Sequence, residues 1–364
     1  MPVEKTICLL IPSLQAGGME RVMSELAGHF CSRKNLSIHL VLFGIRPEFF
    51  YNVPATLTIH KPQNHFNNKH RFISTLKRLW YVRETVKSIN PDTVLSFGEL
   101  WNSFVILALW GLRYPVFISD RCNPARSFKF HNRLLRRVTY RRASGVIAQT
   151  AKAKELYEGQ FRHHNIKVIG NPIRTIDNKS RIERKNVVLT VGRLINTKHH
   201  DKLIETFAEI NNPDWTLVIV GDDSLKQNNF SRLMELIRER DLTGMVTLAG
   251  KQHDIDRYYL SSRIFAFASS SEGFPNVIGE AMSAGLPVMA FDCVAGPADM
   301  IIDNHNGFLV PLFDWAQYKQ KLTLLMEDEN LRSFFGKNAQ IDVKKYSVSK
   351  IGDEYLDFLF SPTR

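Results

Sequence analysis

The stretch IFAFASSSEGFPNVIGEAMSAGLPVMAF, residues 264–291, places an apolar run, a turn, an amphipathic segment and a second apolar run in direct succession. Pro275 suits the first position of a helix, and Gly285 suits the position just past its end. A strand–helix–strand order of this kind predicts a parallel sheet covered by helices. The two apolar runs predict the buried strands Ile264–Ala268 and Pro287–Phe291.

The same alternation continues along the whole chain and predicts an α/β protein with two doubly wound, Rossmann-like parallel-sheet domains. Amphipathic segments between the strands, such as Met19–Cys31 and Phe72–Ile89, predict helices, and a last amphipathic helix is expected at 349–360. The other predicted strands are Thr6–Ile11, Ser37–Phe43, Thr93–Phe97, Val116–Ser119, Gly145–Ala148, Val187–Val191, Thr216–Val220, Met245–Leu248 and Gly307–Val310.

A chain of 364 residues is longer than most domains built on one core. We place the first domain at 1–170, the second at 171–345 and a C-terminal helix at 346–364, packing back toward the first domain. The polar stretch 171–185 predicts the linker. Because open α/β sheets bind ligands beyond the carboxyl ends of their strands, we expect the chemistry in a cleft between the two domains.

The formal charge of +12 is unevenly distributed. Residues 1–170 hold 25 Lys/Arg and 10 Asp/Glu, a net +15, whereas residues 171–364 hold 23 and 26, a net −3. The first domain is therefore expected to face an anionic partner. Nucleic acid, an anionic lipid surface and a phosphorylated substrate all remain open on charge alone.

Other sequence features exclude several classes of protein. No apolar run reaches the roughly 20 residues that a membrane-spanning helix needs, and the N-terminus lacks the features of a signal peptide. The four cysteines are scattered without a C-x-x-C pair, so we expect a reduced, cytoplasmic protein without a zinc site. The adjacent histidines 163–164 and 199–200 are interpreted as surface residues, and no metal is expected.

Two glutamates frame the turn of the opening stretch. Glu272 is expected on the loop at the start of the helix, and Glu280 inside the helix. Carboxylates accept hydrogen bonds from sugar hydroxyls, and free amides at 274–277 could donate to hydroxyls or phosphate. The alternative is that Glu272 only complements the helix dipole and that Glu280 is a solvated helix residue.

Four motifs in order resemble the retaining glycosyltransferases of family 4, whose GT-B fold consists of two Rossmann-like domains. The run EGFPNVIGEAMSAGLPV (272–288) resembles the family signature, and Val191–Leu194 followed by Lys198 resembles its G-R-L-x4-K motif. Pro12–Arg21 resembles its N-terminal G-G-x-E-R loop. Val220–Asp222 resembles its V-x-G-[DE] strand end. Four ordered motifs over nearly the whole chain are more specific than any one.

The resemblance implies a role for each motif. Arg193 and Lys198 would hold the donor diphosphate, since positive charge stabilises a departing diphosphate most in the transition state. Glu280 would bind the ribose, and Glu272 the donor sugar. Gly17 and Gly18 allow a backbone to approach a ligand closely and expose helix amides to anions. The backbone around sugar and phosphate would come from Phe274, Pro275, Asn276 and Val277.

Two sites are less clear from the motifs. The family often carries a histidine after a strand of the first domain, where this chain has Arg121. Arg121 is a catalytic candidate that could bind an acceptor or donor phosphate, or could pair with Asp120. Lys251 and Gln252 follow a strand at the place where the family often contacts the nucleobase, and they could bind the edge of a uracil.

The basic half suits an anionic membrane surface or a phosphate-rich acceptor. Arg133, Arg137 and Arg141 recur every four residues and predict one cationic stripe. In the stretch 70–87, Phe72, Leu76, Leu79 and Val86 are expected near one helix face, with basic residues around them that include Arg71, Lys77, Arg78, Arg83 and Lys87. The alternative for either helix is a solvated charged face.

The sequence thus predicts a retaining hexosyltransferase without cofactor or metal. It would transfer a hexose or N-acetylhexosamine from a nucleotide sugar, with UDP preferred, to a polyprenyl-diphosphate-linked or oligosaccharide acceptor. A role in bacterial surface glycan synthesis predicts a peripheral enzyme on the inner face of the inner membrane. The alternatives are a GT-B-shaped epimerase or phosphorylase, and a basic non-catalytic protein that binds membranes or nucleic acid. No nucleic-acid-binding motif is present, so nucleic acid is not expected as a partner.

Overall fold

The computed structural model describes residues 4–15, 17–44, 49–62, 71–224 and 227–361. The chain forms two compact units. The first comprises residues 1–172 together with 348–364, and the second comprises residues 173–347. The expected boundaries at 170 and 345 each lie two residues from these divisions.

The first unit is built on a parallel sheet of seven strands in the order β3-β2-β1-β4-β5-β6-β7. The strands are β1 Lys5–Ile11, β2 Leu36–Leu42, β3 Thr58–His60, β4 Thr93–Phe97, β5 Val116–Ser119, β6 Gly145–Ala148 and β7 Ile166–Val168. The helices are α1 Gly18–Cys31, α2 Arg71–Ile89, α3 Trp101–Ala108, α4 Phe130–Tyr140, α5 Ala151–Phe161 and the C-terminal α13 Val348–Leu359.

The second unit is built on a parallel sheet of six strands in the order β10-β9-β8-β11-β12-β13. The strands are β8 Val187–Val191, β9 Thr216–Val220, β10 Val246–Gly250, β11 Ile264–Phe267, β12 Val288–Asp292 and β13 Gly307–Pro311. The helices are α6 His200–Ile210, α7 Asn229–Glu239, α8 Ile255–Ser261, α9 Asn276–Ser283, α10 Pro297–Met300, α11 Trp315–Glu327 and α12 Glu329–Asp342, with 3-10 turns at Asn196–Lys198 and Val343–Tyr346.

The predicted doubly wound fold is confirmed in both units. The central strands are buried on both faces, as parallel strands covered by helices require, and their sequences are correspondingly apolar throughout. Every predicted strand is present within one or two residues of its expected bounds. Two strands were not predicted: β3 and β7, which are three-residue strands at the two edges of the first sheet.

The stretch expected to act as a linker instead packs on the second unit. Ile173 and Ile176 are buried in its core. Arg174 forms a bidentate ion pair with Asp256, and the guanidinium of Arg184 donates to backbone carbonyls of the same unit. Polar composition predicted exposure here, but two isoleucines and two bonded arginines hold the segment in place.

Candidate active site

The candidate site lies where the strand order of the second sheet reverses. β8 and β11 are neighbours there, while β9 and β10 lie on the far side of β8. The connections that follow such a strand pair leave in opposite directions, which opens a crevice at the carboxyl ends. The loop after β8 carries Arg193 and Lys198, and the loop after β11 carries Glu272. The fold therefore brings the side chains of two predicted motifs to one point.

A close backbone contact seats the loop after β8. The N–H of Leu194 donates to the carbonyl of Asp222 at 2.9 Å, and Gly221 has a φ of +155°. A Cβ at Gly221 would lie 1.8 Å from the carbonyl oxygen of Gly192, so only glycine fits. The motif Val220–Asp222 thus supports the backbone that carries Arg193.

The two loops are also bonded to each other. The N–H of Ser270 donates to the carbonyl of Thr197 at 2.9 Å, and the Oγ of Ser270 lies 2.9 Å from Nε2 of His199. These bonds fix the loop after β8 against the loop after β11, and they therefore fix the relative positions of the side chains on the two loops.

Lys198 and Glu272 form an ion pair at this junction. The Nζ of Lys198 lies 2.6 Å from Oε1 of Glu272, and each side chain is 13% exposed. Nζ also lies 4.7 Å from the centre of the Phe267 ring. The structure therefore brings together a cation predicted to bind diphosphate and a carboxylate predicted to bind a sugar.

Arg193 lies on the same loop as Lys198 and is exposed to solvent. Within the described part of the chain, no carboxylate pairs with its guanidinium. An exposed, unpaired guanidinium beside a Lys–Glu pair offers bidentate donors to an incoming phosphate.

Glu280 is 2% exposed, on the inner side of α9. Its Oε2 accepts a hydrogen bond of 3.0 Å from the hydroxyl of Tyr259, which is itself fully buried. The alternative that Glu280 is a solvated helix residue is wrong, because its neighbours on α9 pack into the core and carry it inward. The hydroxyl of Tyr259 holds this carboxylate in place, and its assignment to the ribose stays a prediction.

The start of α9 differs from the prediction in two respects. Pro275 is the capping residue rather than the first helical residue, because its ψ of 85° is not helical. The N–H of Asn276 is not free, since it donates to the carbonyl of Phe274 at 3.1 Å. Phe274 is buried edge-on against Tyr346, and Val277 begins the apolar side of the helix. A Cβ at Gly296 would lie 2.3 Å from Cδ of Pro275, so this turn is tightly packed.

Lys251 and Gln252 follow β10, the edge strand of the second sheet. Lys251 is exposed, and the side-chain amide of Gln252 donates to the carbonyl of Ala249. β9 separates β10 from β8, so these two residues start about 10 Å to the side of the strand-order reversal. Their assignment to the nucleobase stays a prediction.

In the first unit, Gly17 caps α1 in an extended conformation, and Gly18 is the first residue of the helix. The carbonyl of Gly17 accepts a hydrogen bond of 3.0 Å from the hydroxyl of Tyr51. This turn follows β1, next to β4, where the order of the first sheet reverses. Ala16 of the same motif lies outside the described residues.

Asp120 does not pair with Arg121, which corrects one alternative. Its carboxylate instead bonds the guanidinium of Arg136 and accepts from the hydroxyl of Tyr140 at 2.5 Å. Burial next to this carboxylate raises the pKa of Tyr140 well above its ordinary value. The Arg121 side chain bonds the side chains of Asn171 and Tyr355, and its burial lowers its pKa.

The paired histidines are not both surface residues. His163 and His200 are buried, and burial lowers the pKa of His200 to about 4. The rings of His163 and His164 are stacked with centres 5.1 Å apart. Among the residues that the structure describes, no group of three or more His, Cys, Asp or Glu side chains could hold a metal ion.

The basic helices of the first unit separate into buried and exposed groups. Arg133, Arg137 and Arg141 are exposed along α4 and its end, as the stripe predicts. Arg136 is buried in the pair with Asp120, and Arg78 is half-buried rather than exposed. His70 lies outside the described residues, as does the side chain of Arg71.

The apolar residues of α2 do not share one face. Val86 is buried and Leu79 packs on the core, whereas Phe72 is 76% exposed and Leu76 is also exposed. Sequence spacing did not reveal this second, outward apolar face. Other large exposed apolar side chains on α2, α3 and α4 are Ile73, Trp80, Leu107, Phe130, Leu134, Leu135 and Val138.

Comparison with known proteins defines the class of the chain. Residues 16–176 match the model described as Glycosyltransferase Family 4, and residues 172–342 match the model described as Glycosyl transferases group 1. The two models divide the chain as its two units do and together span residues 16–342. The chain is therefore a glycosyltransferase with a family 4 domain in its first half and a group 1 domain in its second half.

Particular relatives match over almost their full length. A Campylobacter jejuni enzyme, GalNAc-alpha-(1->4)-GalNAc-alpha-(1->3)-diNAcBac-PP-undecaprenol alpha-1,4-N-acetyl-D-galactosaminyltransferase, is 28% identical over 97% of this chain and 98% of its own. The amylovoran biosynthesis glycosyltransferase AmsD of Erwinia amylovora is 27% identical over 98% of this chain and 99% of its own. The crystal structure of Anabaena HepE in complex with UDP has a TM-score of 0.79 at 21% identity, over 98% of this chain and 100% of that one. The last match supports the fold.

Proposed function

We propose that this glycosyltransferase moves a hexosyl or N-acetylhexosaminyl group from a UDP-sugar to a lipid-linked or oligosaccharide acceptor in bacterial surface glycan synthesis, with retention of anomeric configuration. The observation that carries the proposal is the Lys198–Glu272 pair beside the exposed Arg193, at the strand-order reversal of the second sheet. The names of the relatives in Campylobacter and Erwinia support the choice of acceptor and pathway class.

The donor would bind mainly to the second unit. Arg193 and Lys198 would hold the diphosphate, and the buried carboxylate of Glu280 would accept hydrogen bonds from the ribose hydroxyls. When the diphosphate engages Lys198, Glu272 is released from its ion pair and can accept from sugar hydroxyls. The backbone from Phe274 to Val277 would line the space between sugar and phosphate.

The transfer step needs no covalent enzyme intermediate. The bond between the anomeric carbon and the diphosphate oxygen breaks, and the acceptor hydroxyl forms its bond to that carbon from the same face. The acceptor proton passes to a departing diphosphate oxygen. Arg193 and Lys198 stabilise the charge that develops on the diphosphate. Glu272 is proposed as a ligand of the donor sugar, and no covalent bond to the sugar is assigned to it. No metal or cofactor is assigned to this scheme.

The acceptor side is proposed to dock on an anionic membrane surface, which would place the enzyme at the inner face of the inner membrane. Within the described ranges, no helix combines the length and apolar character needed to cross a bilayer. α2 packs against α3, and α3 against α4. We call the exposed side chains of these helices the basic–aromatic surface: Phe72, Trp80, Phe130, Arg133, Leu134 and Arg137. Aromatic rings flanked by arginines suit the interface of an anionic bilayer.

The test is transfer of label from a panel of UDP- and GDP-sugars into the solvent-extractable lipid fraction of bacterial membranes. Glu280→Ala and Arg193→Ala are compared with wild type, and Arg240→Ala, an exposed arginine of the same unit, is the matched control. We expect label from one donor in lipid, retained in the control and lost at least 100-fold in both site variants.

An epimerase would give a different result in the same assay. It would convert the UDP-sugar to its epimer without any acceptor, and no label would enter lipid or oligosaccharide. Conversion of donor without transfer, or absence of nucleotide binding in wild type, would contradict the proposal.

A further inference from the structure

Arg121 contacts both segments through which the chain passes between its units. The backbone leaves the first unit after Pro172 and returns to it at Val348. Nη1 of Arg121 donates to Oδ1 of Asn171 at 2.5 Å, one residue before the departure. Nη2 donates to the hydroxyl of Tyr355 at 2.8 Å, on the helix that begins where the chain returns. One side chain therefore bridges the outgoing and the returning segment.

Both acceptors of the bridge are buried, and Arg121 itself is partly buried. Asn171 is 3% exposed and Tyr355 is fully buried. The guanidinium carbon of Arg121 lies 3.6 Å from the centre of the Phe97 ring, at the end of β4, and Tyr355 packs against the same ring. Two hydrogen-bond acceptors and an aromatic face thus surround the guanidinium of Arg121. They offset the free energy lost when its charge is removed from water.

The second unit joins the same two segments by its backbone. The N–H of Ile173 donates to the carbonyl of Tyr346 at 2.7 Å, and Ile173 pairs in parallel with Ser347. The outgoing and returning segments are therefore bonded to each other within the second unit. In the first unit, the guanidinium of Arg121 joins them.

We propose that Arg121 is a positioning residue that fastens both crossover segments, residues 169–172 and 348–355, to the end of the first sheet. A planar guanidinium can donate from two nitrogens to two separate acceptors. A lysine ammonium is one compact charge and cannot donate to both acceptors in the same geometry. Nη1 and Nη2 of Arg121 are each engaged with one of these acceptors, while its Nε has no hydrogen-bond partner among the residues that the structure describes. This role replaces the catalytic role expected for Arg121 from the sequence. Of the measurements that test this role, only the transfer rate depends on the proposed function.

The experiment compares Arg121→Lys, Tyr355→Phe and the double variant with wild type. Arg126→Lys, an exposed arginine five residues further along the same loop, is the matched control. Hydrogen exchange is followed by mass spectrometry over segments 166–171 and 349–356, together with UDP affinity and the transfer rate at saturating donor.

We expect faster exchange in both segments in each single variant, and little further increase in the double variant because both changes break one bridge. UDP affinity should stay within about twofold of wild type, while the transfer rate at saturating donor falls about tenfold. If Arg121→Lys does not fold, Tyr355→Phe carries the test. Faster exchange over 166–171 in that variant would show that the hydroxyl acts through Arg121 on the other segment.

Two results would overturn the proposal. The first is a loss of UDP affinity of tenfold or more in Arg121→Lys with unchanged exchange, which would identify Arg121 as a phosphate ligand. The second is unchanged exchange over 166–171 in Tyr355→Phe. If wild type fails to bind UDP, the proposed function is contradicted, while the exchange data still decide the role of Arg121.

Discussion

At the scale of single residues, the Lys198–Glu272 pair determines how the site responds to substitution. The two charges neutralise each other at 2.6 Å in a site that is largely shielded from water. Under the proposed donor binding, an incoming diphosphate would compete with Glu272 for the ammonium group of Lys198. The two partners should therefore affect nucleotide affinity in opposite directions, although both are needed for transfer.

We predict that Lys198→Ala weakens UDP binding by about 10- to 100-fold, because Glu272 is left as an unpaired negative charge beside the diphosphate. Glu272→Gln should bind UDP as tightly as wild type or more tightly, since Lys198 is released, while its transfer rate falls about 100-fold for want of a sugar ligand. Calorimetric titration with UDP and initial-rate assays measure the two effects. Equal weakening of UDP binding in both variants would argue against competition for Lys198.

At the scale of helices, His200 opens α6 as a buried imidazole. Burial lowers its pKa from 6.5 to about 4, so the folded protein holds it neutral where the unfolded chain is protonated. Below about pH 6.5 the unfolded chain binds a proton that the native state does not bind. The unfolding free energy of the second unit should therefore fall as the pH falls from about 6.5 to 4.

The predicted contribution of His200 to that loss is about 3 kcal/mol, at 1.36 kcal/mol for each unit of pKa shift. Chemical denaturation at a series of pH values measures it, with His200→Leu removing the titrating group. The variant should lose less stability than wild type over this pH range. The exposed His131→Leu serves as the control and should follow wild type. Identical pH profiles for wild type and His200→Leu would show that His200 does not titrate as described.

Helices α2 and α4 carry the prediction about membranes. Replacing Phe72, Trp80 and Phe130 together by serine should reduce binding to anionic phospholipid vesicles about tenfold, because these side chains are 68–76% exposed. Replacing the exposed Phe313, Phe334 and Ile341 of the second unit by serine is the matched control and should have little effect. Co-sedimentation at several salt concentrations measures both. An equal loss of vesicle binding in the two triple variants would refute docking through the basic–aromatic surface. Equal binding of wild type to neutral and anionic vesicles would refute it as well.

At the scale of the whole molecule, the sequence predicted the two parallel sheets well, because continuous apolar strands and helical spacing recur throughout. It also predicted that Glu280 lies within a helix and that Glu272 lies on the preceding loop. Pairing of side chains far apart in sequence was not predictable. Asp120 pairs with Arg136 on the helix that follows its loop rather than with its neighbour Arg121. Lys198 pairs with Glu272 because sheet order places the loops after β8 and β11 next to each other.

Burial of polar residues was the main source of error. His163 and His200 were expected at the surface, and Arg78 was expected to be exposed, because polarity alone predicts exposure. His200 begins α6 and Arg78 lies on α2, so the helices that pack on the sheets carry these two side chains inward, whereas the buried His163 lies in the turn after α5. The short edge strands β3 and β7 were missed because three residues carry too little periodicity to distinguish a strand from a loop.

We propose that the chain is a retaining glycosyltransferase that uses a UDP-sugar. The most direct measurement is the anomeric configuration of the glycoside that it forms from an α-configured UDP-sugar, read from the coupling constant of the anomeric proton by NMR. A retaining transferase should form an α-glycoside, and this product should be absent when Glu280→Ala replaces wild type. A β-glycoside would contradict retention, and a failure to form any glycoside with the lipid-linked and oligosaccharide acceptors tested would contradict the assignment as a whole.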